Sequence, residues 1–324
     1  MAIRTGPGYS ANPTDNVYHY TSSEAALLGI LSSGKIRLSS FANVNDPRES
    51  KRNINGFVVN TDSDIQPSGQ DGMAVNQYTR TYLGTQMKVA CFTRDYMTDG
   101  SMAFGDELTG WSHAAQWAHY AGRHSGICLE FSATKLEDCL RQQLAEYGPV
   151  FYGDVEYYLD EFSLVPISEV RYEYMREFGL DAALSHYIER HYQTLFLRKH
   201  SDWQSEHEYR LLFLDPTGSM HPRELDIRTA LTGIYVGPAF QESRISMVYE
   251  FQERYPDVSF YRIYDESDGR PVLQRMARES LIEILAQRKP PFEPTSTGPL
   301  TERLALLRAA DAARLSSRSE PHPG

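Results

Sequence analysis

The chain is built from short runs that alternate, or concentrate, β-branched and aromatic residues: VYHYT, KIRLSS, MKVACFT, SGICLEF, PVFYGDVEYY, HEYRLLFL, ALTGIYVGP and VSFYRIY. Runs of this length and composition read as strands. Helical patterns fall between them at irregular intervals, over 22–33, 111–122, most of 161–200, and 242–254. The strands outnumber what a helical bundle holds. The pattern therefore predicts an α+β fold with a mainly antiparallel sheet.

Punctuation supports the boundaries. Ser22 or Ser23 can cap the first helix, where Ala26, Leu27, Ile30 and Leu31 fall at helical spacing. Gly34 suits the left-handed position beyond its end. VNDPRES reads as a turn fixed by Pro47. Residues 60–72 read as a polar loop. The expected organisation is a loose lead-in over 1–16, a main domain over 17–270 and an amphipathic helix over 271–288. A proline-rich linker over 289–300 and a C-terminal helix with a tail over 301–324 complete it.

Composition limits the class. With 324 residues, 41% hydrophobic and 23% charged, the chain can bury a core without staples. Cys91, Cys128 and Cys139 are too few and too scattered for a disulfide framework or a zinc site, so free, buried thiols are expected. A net charge of -11 argues against a protein that coats nucleic acid. The basic groups in NDPRESKR and LFLRKH read as solvated faces. No run is long and apolar enough to cross a membrane, and the first residues lack a signal peptide's apolar region. The expectation is a cytoplasmic protein without a membrane partner.

Three constellations carry chemistry. In Tyr18-His19-Tyr20-Thr21, strand alternation puts His19 and Thr21 on one side and the tyrosines on the other. An imidazole beside a hydroxyl can hold a ribose or an amide; the same pattern also describes a half-buried strand. In SDWQSEHEYRLLF, alternation puts Glu206, Glu208 and Arg210 on one face. Two carboxylates so placed repel, raising at least one pKa unless Arg210 or a ligand compensates. Such a pair can divide tasks, one orienting a sugar hydroxyl and one activating a nucleophile. An exposed, salt-bridged edge strand is the structural alternative. In WSHAAQWAHYAGRH, His113, Trp117, Tyr120 and His124 share a helix side, which is either core or a ring-stacking surface. Phosphate-loop, Rossmann and hydrolase-elbow signatures are absent, and no metal site is expected.

The ordered series YHYTS, ILSSGKIRLSS, NVNDPRES, VACFTRD, WAHYAGRHSGICLEF, WQSEHEYRLLF and GIYVGP resembles an uncharacterised bacterial domain-of-unknown-function family over about residues 17–265. That family in turn resembles a divergent ADP-ribosyltransferase fold. The link is a strand with His-x-Thr, a short helix with Leu28, Ile30, Leu31 and Gly34, and a later Glu-x-Glu. The resemblance implies a split antiparallel sheet and NAD as co-substrate. It implies Glu208, Glu206 and His19 as catalytic residues, with Glu208 holding the reacting ribose and Glu206 preparing the acceptor. His19, Tyr20, Thr21, Arg48, Trp117, Tyr120 and Arg210 would bind NAD. Arg94 and Arg123 are alternatives to Arg48 and Arg210 for its pyrophosphate; the fold's middle aromatic element has no clear counterpart, with Tyr120 and Tyr152 as candidates. The acceptor would be nucleic acid or protein, in a toxin or phage-defence effector. A neutralising partner or a second copy would dock on the C-terminal helices. Three other functions compete with transfer: NAD glycohydrolysis, non-catalytic binding of a nucleotide or partner, and a metal-dependent nuclease built on Glu130, Glu206 and Glu208.

Overall fold

A computed structural model describes residues 10–11, 14–50, 69–97, 107–108, 110–159, 172–265 and 271–277. Residues 1–276 form one unit and 277–324 a second. The proline-rich linker and the C-terminal helix lie outside the described residues.

The strands, in chain order, are β1 (Ser10–Ala11), β2 (Asn16–Thr21), β3 (Lys35–Ser40), β4 (Met87–Arg94), β5 (Tyr96–Met97), β6 (Glu107–Leu108), β7 (Ile127–Ser132), β8 (Val150–Asp154), β9 (Glu156–Tyr158), β10 (Arg198–His200), β11 (Glu208–Leu214), β12 (Arg223–Asp226), β13 (Leu231–Val236), β14 (Ser259–Asp265) and β15 (Pro271–Arg275). The α-helices are α1 (Pro47–Ser50), α2 (Gly69–Gln86), α3 (Ala114–Tyr120), α4 (Ala133–Leu144), α5 (Tyr172–Phe178), α6 (Leu180–Phe196) and α7 (Ile245–Arg254). The anticipated strand runs all form strands.

Ten strands make one open sheet that forks at β4. One edge of β4 pairs with β11 along its length, from Met87↔Leu214 to Thr93↔Glu208, and β8 lies beyond β11. The other edge is shared. β2 takes its far end, at Val17↔Arg94 and Tyr18↔Thr93. β3 takes its near end, at Ser39↔Val89 and Ser40↔Lys88. Among the described residues, Ala90, Cys91 and Phe92 have no strand partner on that edge. From β2 one arm continues through β7, β13, β14 and β15; from β3 the other continues to β12. All pairs in this sheet are antiparallel except β13 with β14, which α7 connects.

Side-chain pattern along β4 and β11 sets the layers. On one face, Met87 and Val89 lie beside Leu214 and Leu212. Together with Phe41, Leu184, Ile188 and Phe196 they form a core under α2 and α6. Further along the same face the pairs become Cys91–Arg210 and Thr93–Glu208. The apolar register thus gives way to a polar one at the fork. A second core gathers Tyr18, Tyr20, Trp117, Cys128 and Tyr235 where α3 crosses β2.

Local structure departs from expectation in five places. Residues 271–275 are strand β15, not the start of a helix, because they pair with Tyr261–Asp265; of the expected helix, residues beyond 277 lie outside the described ones. Residues 69–72 begin α2 instead of ending a loop. The helix after β2 is wound as a π-helix over Ala25–Leu31, and Ser22 Oγ accepts from Ala25 N at 3.2 Å at its start. The NDP turn becomes helical, with Pro47 at the first position of α1, where its missing N–H is harmless, and Asp46 Oδ1 accepting from Arg48 N at 2.9 Å. The lead-in contributes β1, which pairs with β5, and Asp15, which accepts from Thr134 N at 3.0 Å at the start of α4. Gly34 has the expected left-handed φ of 70°. The cysteines are free, with Cys128 and Cys139 buried and Cys91 partly so. No helix among the described residues is long and apolar enough to cross a membrane.

Gly126 fixes the approach of β7 to β2: a Cβ there would lie 2.2 Å from the Thr21 carbonyl oxygen and 2.7 Å from that of Ala121. Backbone atoms cannot swing aside as a side chain does. Gly126→Ala is expected to lose about 3 kcal/mol in urea unfolding through overpacking; a loss below about 1 kcal/mol would contradict this packing.

Candidate functional site

The fork makes a hole in the sheet, and the cavity there has a volume of about 210 Å³. Tyr18, Tyr20, Cys91, Thr93, Glu208 and Arg210 enter it from one sheet face. His19 and Phe92 enter from the other. Ser39, Ser40, Asn43 and Asn45 come from β3 and the turn after it, and Gln116 and Tyr120 from α3. Lys199 on β10 and Glu206 complete the wall. Only a missing strand between β2 and β3 lets side chains of both faces meet in this way.

His19 marks the gap. Its Nδ1 lies 2.9 Å from the Cys91 carbonyl oxygen, an edge group that β2 and β3 leave unpaired. Its ring centroid is 5.7 Å from that of Phe92. Burial pushes the imidazole pKa down, against the bond to Cys91, so the neutral ring is favoured. With the Nδ1 hydrogen on Cys91, Nε2 is left as an acceptor.

Five charged groups stand together: Glu49, Lys199, Glu206, Glu208 and Arg210. Arg210 donates from Nε to Glu208 Oε1 at 2.7 Å and from Nη2 to Glu208 Oε2 at 2.8 Å. Nη2 also reaches Glu49 Oε2 at 2.8 Å, and Nη1 reaches the Phe196 carbonyl at 2.6 Å. Lys199 Nζ lies 2.6 Å from Glu206 Oε2 and 3.1 Å from Glu208 Oε2, and 4.8 Å from the Trp203 ring centroid. Tyr120 donates to Glu206 Oε1 at 2.6 Å. All five charged residues are buried.

The electrostatics follow from this list. Burial alone would lift the Glu208 carboxyl, but the charge and hydrogen bonds of Arg210, with Lys199, hold it at about 2. The expected repulsion between Glu206 and Glu208 is thus answered from within the protein. Burial lifts Glu49 above the usual carboxylate range against the pull of Arg210 and Lys199. Burial would lower Lys199, yet Glu208, Glu206 and Glu49 together raise it. Burial and the bond to Glu206 raise the Tyr120 hydroxyl. His207, which separates Glu206 from Glu208 in sequence, and His113 against its ring are pushed by burial to about 4 and about 3, so both are neutral near pH 7.

The structure brings His19, Tyr20, Tyr120, Glu206, Glu208 and Arg210 together in the wall of one cavity. Their placement differs from the strand expectation. Glu206 is not on the strand: it ends a 3-10 helix over Ser201–Glu206, and His207 takes a left-handed φ of 44° before β11 begins at Glu208. Arg210 is engaged by Glu208, Glu49 and Phe196, so it braces the site and is not a free phosphate partner. Tyr20 gives its hydroxyl to the Gly110 carbonyl.

Other expected ligand groups lie elsewhere. Thr21 pairs with Ile127 on β7 and does not line the cavity, because β2 has left β4 by then. Trp117 is core: it meets Tyr20 edge-on at 5.1 Å and donates to the Trp111 carbonyl at 2.7 Å. Arg48 pairs with Asp46 and Asp202 outside the cavity. Arg94 lies on Asp154 and over the Tyr209 ring. Arg123 occupies an exposed left-handed turn, and Tyr152 bonds Arg141. Glu130 accepts from Thr232 and Tyr235, away from the carboxylate pair, and the described residues contain no acidic, His or Cys group suited to a metal ion.

Two members were not legible as such. Lys199 sits in LFLRKH, which reads as a solvated face, yet its side chain is 6% exposed. Glu49 sits in the NDP turn, and only the fold carries it to Arg210. The signal available for Lys199 was its nearness in sequence to the Glu-x-Glu run.

Residues 116–211 match the model of a family described as a protein of unknown function, DUF2971. The matched span holds Tyr120, Lys199, Glu206, Glu208 and Arg210, and excludes His19 and Glu49. No curated protein and no solved structure matches the chain.

Removing one partner of a buried, hydrogen-bonded ion pair strands the other. Glu208→Gln is therefore expected to lose about 3–5 kcal/mol in urea unfolding. Glu206→Gln keeps an acceptor oxygen, and Lys199 keeps Glu208, so it is expected to lose only about 1–2 kcal/mol. Equal losses would contradict the division between a Glu208 clamped by Arg210 and a Glu206 held by Tyr120 and Lys199.

Proposed function

We propose that the cavity takes the nicotinamide–ribose end of NAD and that the protein transfers ADP-ribose to an acceptor. What supports this is the meeting of His19, Tyr120, Glu206 and Glu208 in one cleft, opened by the fork between β2 and β3. A volume of about 210 Å³ is below the ~300–1,000 Å³ usual for whole drug-sized ligands, so only one end of the dinucleotide enters. Tyr18, Tyr20 and Tyr120 offer aromatic walls for a ring, and His19 Nε2 offers an acceptor for a hydroxyl.

In this reading the nicotinamide–ribose bond breaks with its electron pair leaving on nicotinamide. The ribose gains oxocarbenium character, and an acceptor nucleophile adds to it and gives up a proton. A fixed carboxylate beside that cation lowers the barrier. We assign this place to Glu206: a planar guanidinium clamps both oxygens of Glu208, whereas the partners of Glu206 are a hydroxyl and the ammonium of a flexible lysine. That reverses the division of labour implied by the resemblance, with Glu208 bracing and Glu206 facing the ligand. With water as acceptor the same site is an NAD glycohydrolase.

A second reading, a non-catalytic module that binds a partner, or a nucleotide by its ring or ribose and not its phosphates, is favoured by one observation. Both cations of the wall, Lys199 and Arg210, are engaged by carboxylates, and neither is left for a pyrophosphate.

Labelled NAD incubated with the protein and with DNA, RNA or lysate protein separates these readings. Label transfer is expected, falling at least 100-fold in Glu206→Gln. NAD loss without transfer identifies the glycohydrolase, and binding without turnover identifies the module. The absence of both binding and NAD loss in every condition would overturn the NAD reading.

A further inference from the structure

Lys199 is shared unequally among three carboxylates. Its Nζ is 2.6 Å from Glu206 and 3.1 Å from Glu208, but 3.7 Å from Glu49 Oε1. That last distance is too long for a hydrogen bond. Glu49 Oε1 is nevertheless buried and accepts no hydrogen bond, in a side chain that is 2% exposed. Its sister oxygen is fixed by Arg210 Nη2 at 2.8 Å, so the carboxylate cannot rotate toward another donor. An unsatisfied buried acceptor is unfavourable, and the nearest cation stands just out of reach.

Glu206 is in the opposite condition. It is the carboxylate suited to meet a ligand, yet Tyr120 holds one oxygen and Lys199 the other. A ligand hydroxyl or a developing cation at Glu206 must compete with that ammonium.

We infer that Lys199 is a positioning residue with two berths. Without ligand its ammonium rests on Glu206 and Glu208. When a ligand engages Glu206, the ammonium moves about 1 Å, enough to make a normal hydrogen bond to Glu49 Oε1, and keeps its contact with Glu208. The charge of Glu206 becomes available to the ligand, and the orphan oxygen of Glu49 gains its donor, which offsets the contact given up. No proton moves and no covalent bond changes. A lysine suits this role: its flexible stem carries three rotatable donors, whereas a planar guanidinium holds one geometry. Arg210 supplies the fixed counterpart, holding Glu208 and Glu49 in place while Lys199 shifts between them. The inference rests on Glu206 being the ligand-facing carboxylate, and it adds how that carboxylate is released.

The test uses the full chain with isotope-labelled lysine and glutamate, read by NMR couplings across the Lys199 hydrogen bonds and by crystallography. Wild type shows couplings to Glu206 and Glu208. Glu206→Gln, with no ligand added, is expected to bring Nζ within about 3.2 Å of Glu49 Oε1 and to show the new coupling. Saturating NAD is expected to do the same in wild type. Glu49→Gln keeps an oxygen for Arg210 but removes the second berth, and NAD binding by calorimetry should weaken about tenfold. If Lys199 stays near 3.7 Å from Glu49 in Glu206→Gln, or stays on Glu206 with NAD bound, the inference is overturned. If the variant shows the exchange but wild type binds no NAD, the two berths stand and the NAD reading falls.

Discussion

The buried guanidinium of Arg210 is the interaction on which this site depends. It is about 1% exposed and joins three parts of the chain: Glu208 at the start of β11, Glu49 on α1, and the last carbonyl of α6 at Phe196. Taking such a group out of water is strongly unfavourable unless its donors are met and its charge is balanced. Here both conditions hold, through two carboxylates and one carbonyl. The consequence is geometric. With Arg210 fixed, Glu208 cannot turn, Lys199 is drawn between Glu208 and Glu206, and Glu206 is held against Tyr120 at the cavity wall.

The second constraint is the fork. A continuous sheet would have covered Cys91 with a strand, and His19 and Glu208 would have stayed on opposite faces of it. Because β2 and β3 share one edge of β4, the sheet carries a hole at Ala90–Phe92, and groups from both faces line it. The apolar cores on either side, under α2 and α6 and under α3, keep the two arms apart. The site is therefore a product of strand pairing as much as of side chains.

Much of the fold was legible from local sequence. Strands such as β4, β11 and β13 are runs of β-branched and aromatic residues, and pleated pairing suits them. Gly34 and Pro47 stood where backbone geometry demands them. The errors have physical causes. Residues 271–275 carry apolar side chains compatible with either period, and pairing with β14 decides for strand. The polar composition of α2 hides its helix, which packs through Tyr82 and Leu83 against a core assembled from distant segments. In the site, His19 and the two glutamates were legible because short motifs carry them. Lys199 and Glu49 were not, since their meaning lies in partners brought together only by tertiary structure. Thr21 and Trp117 followed the expected periodicities but ended in pairing and core.

The central claim is that the hole at the fork is where the ligand's reactive end binds. A crystal structure of the protein with ADP-ribose and nicotinamide tests it most directly. The account predicts density between β2 and β3, with a ligand hydroxyl on Glu206 and a second contact at His19 Nε2. Well-ordered ligand elsewhere on the protein, with the fork empty, would contradict it.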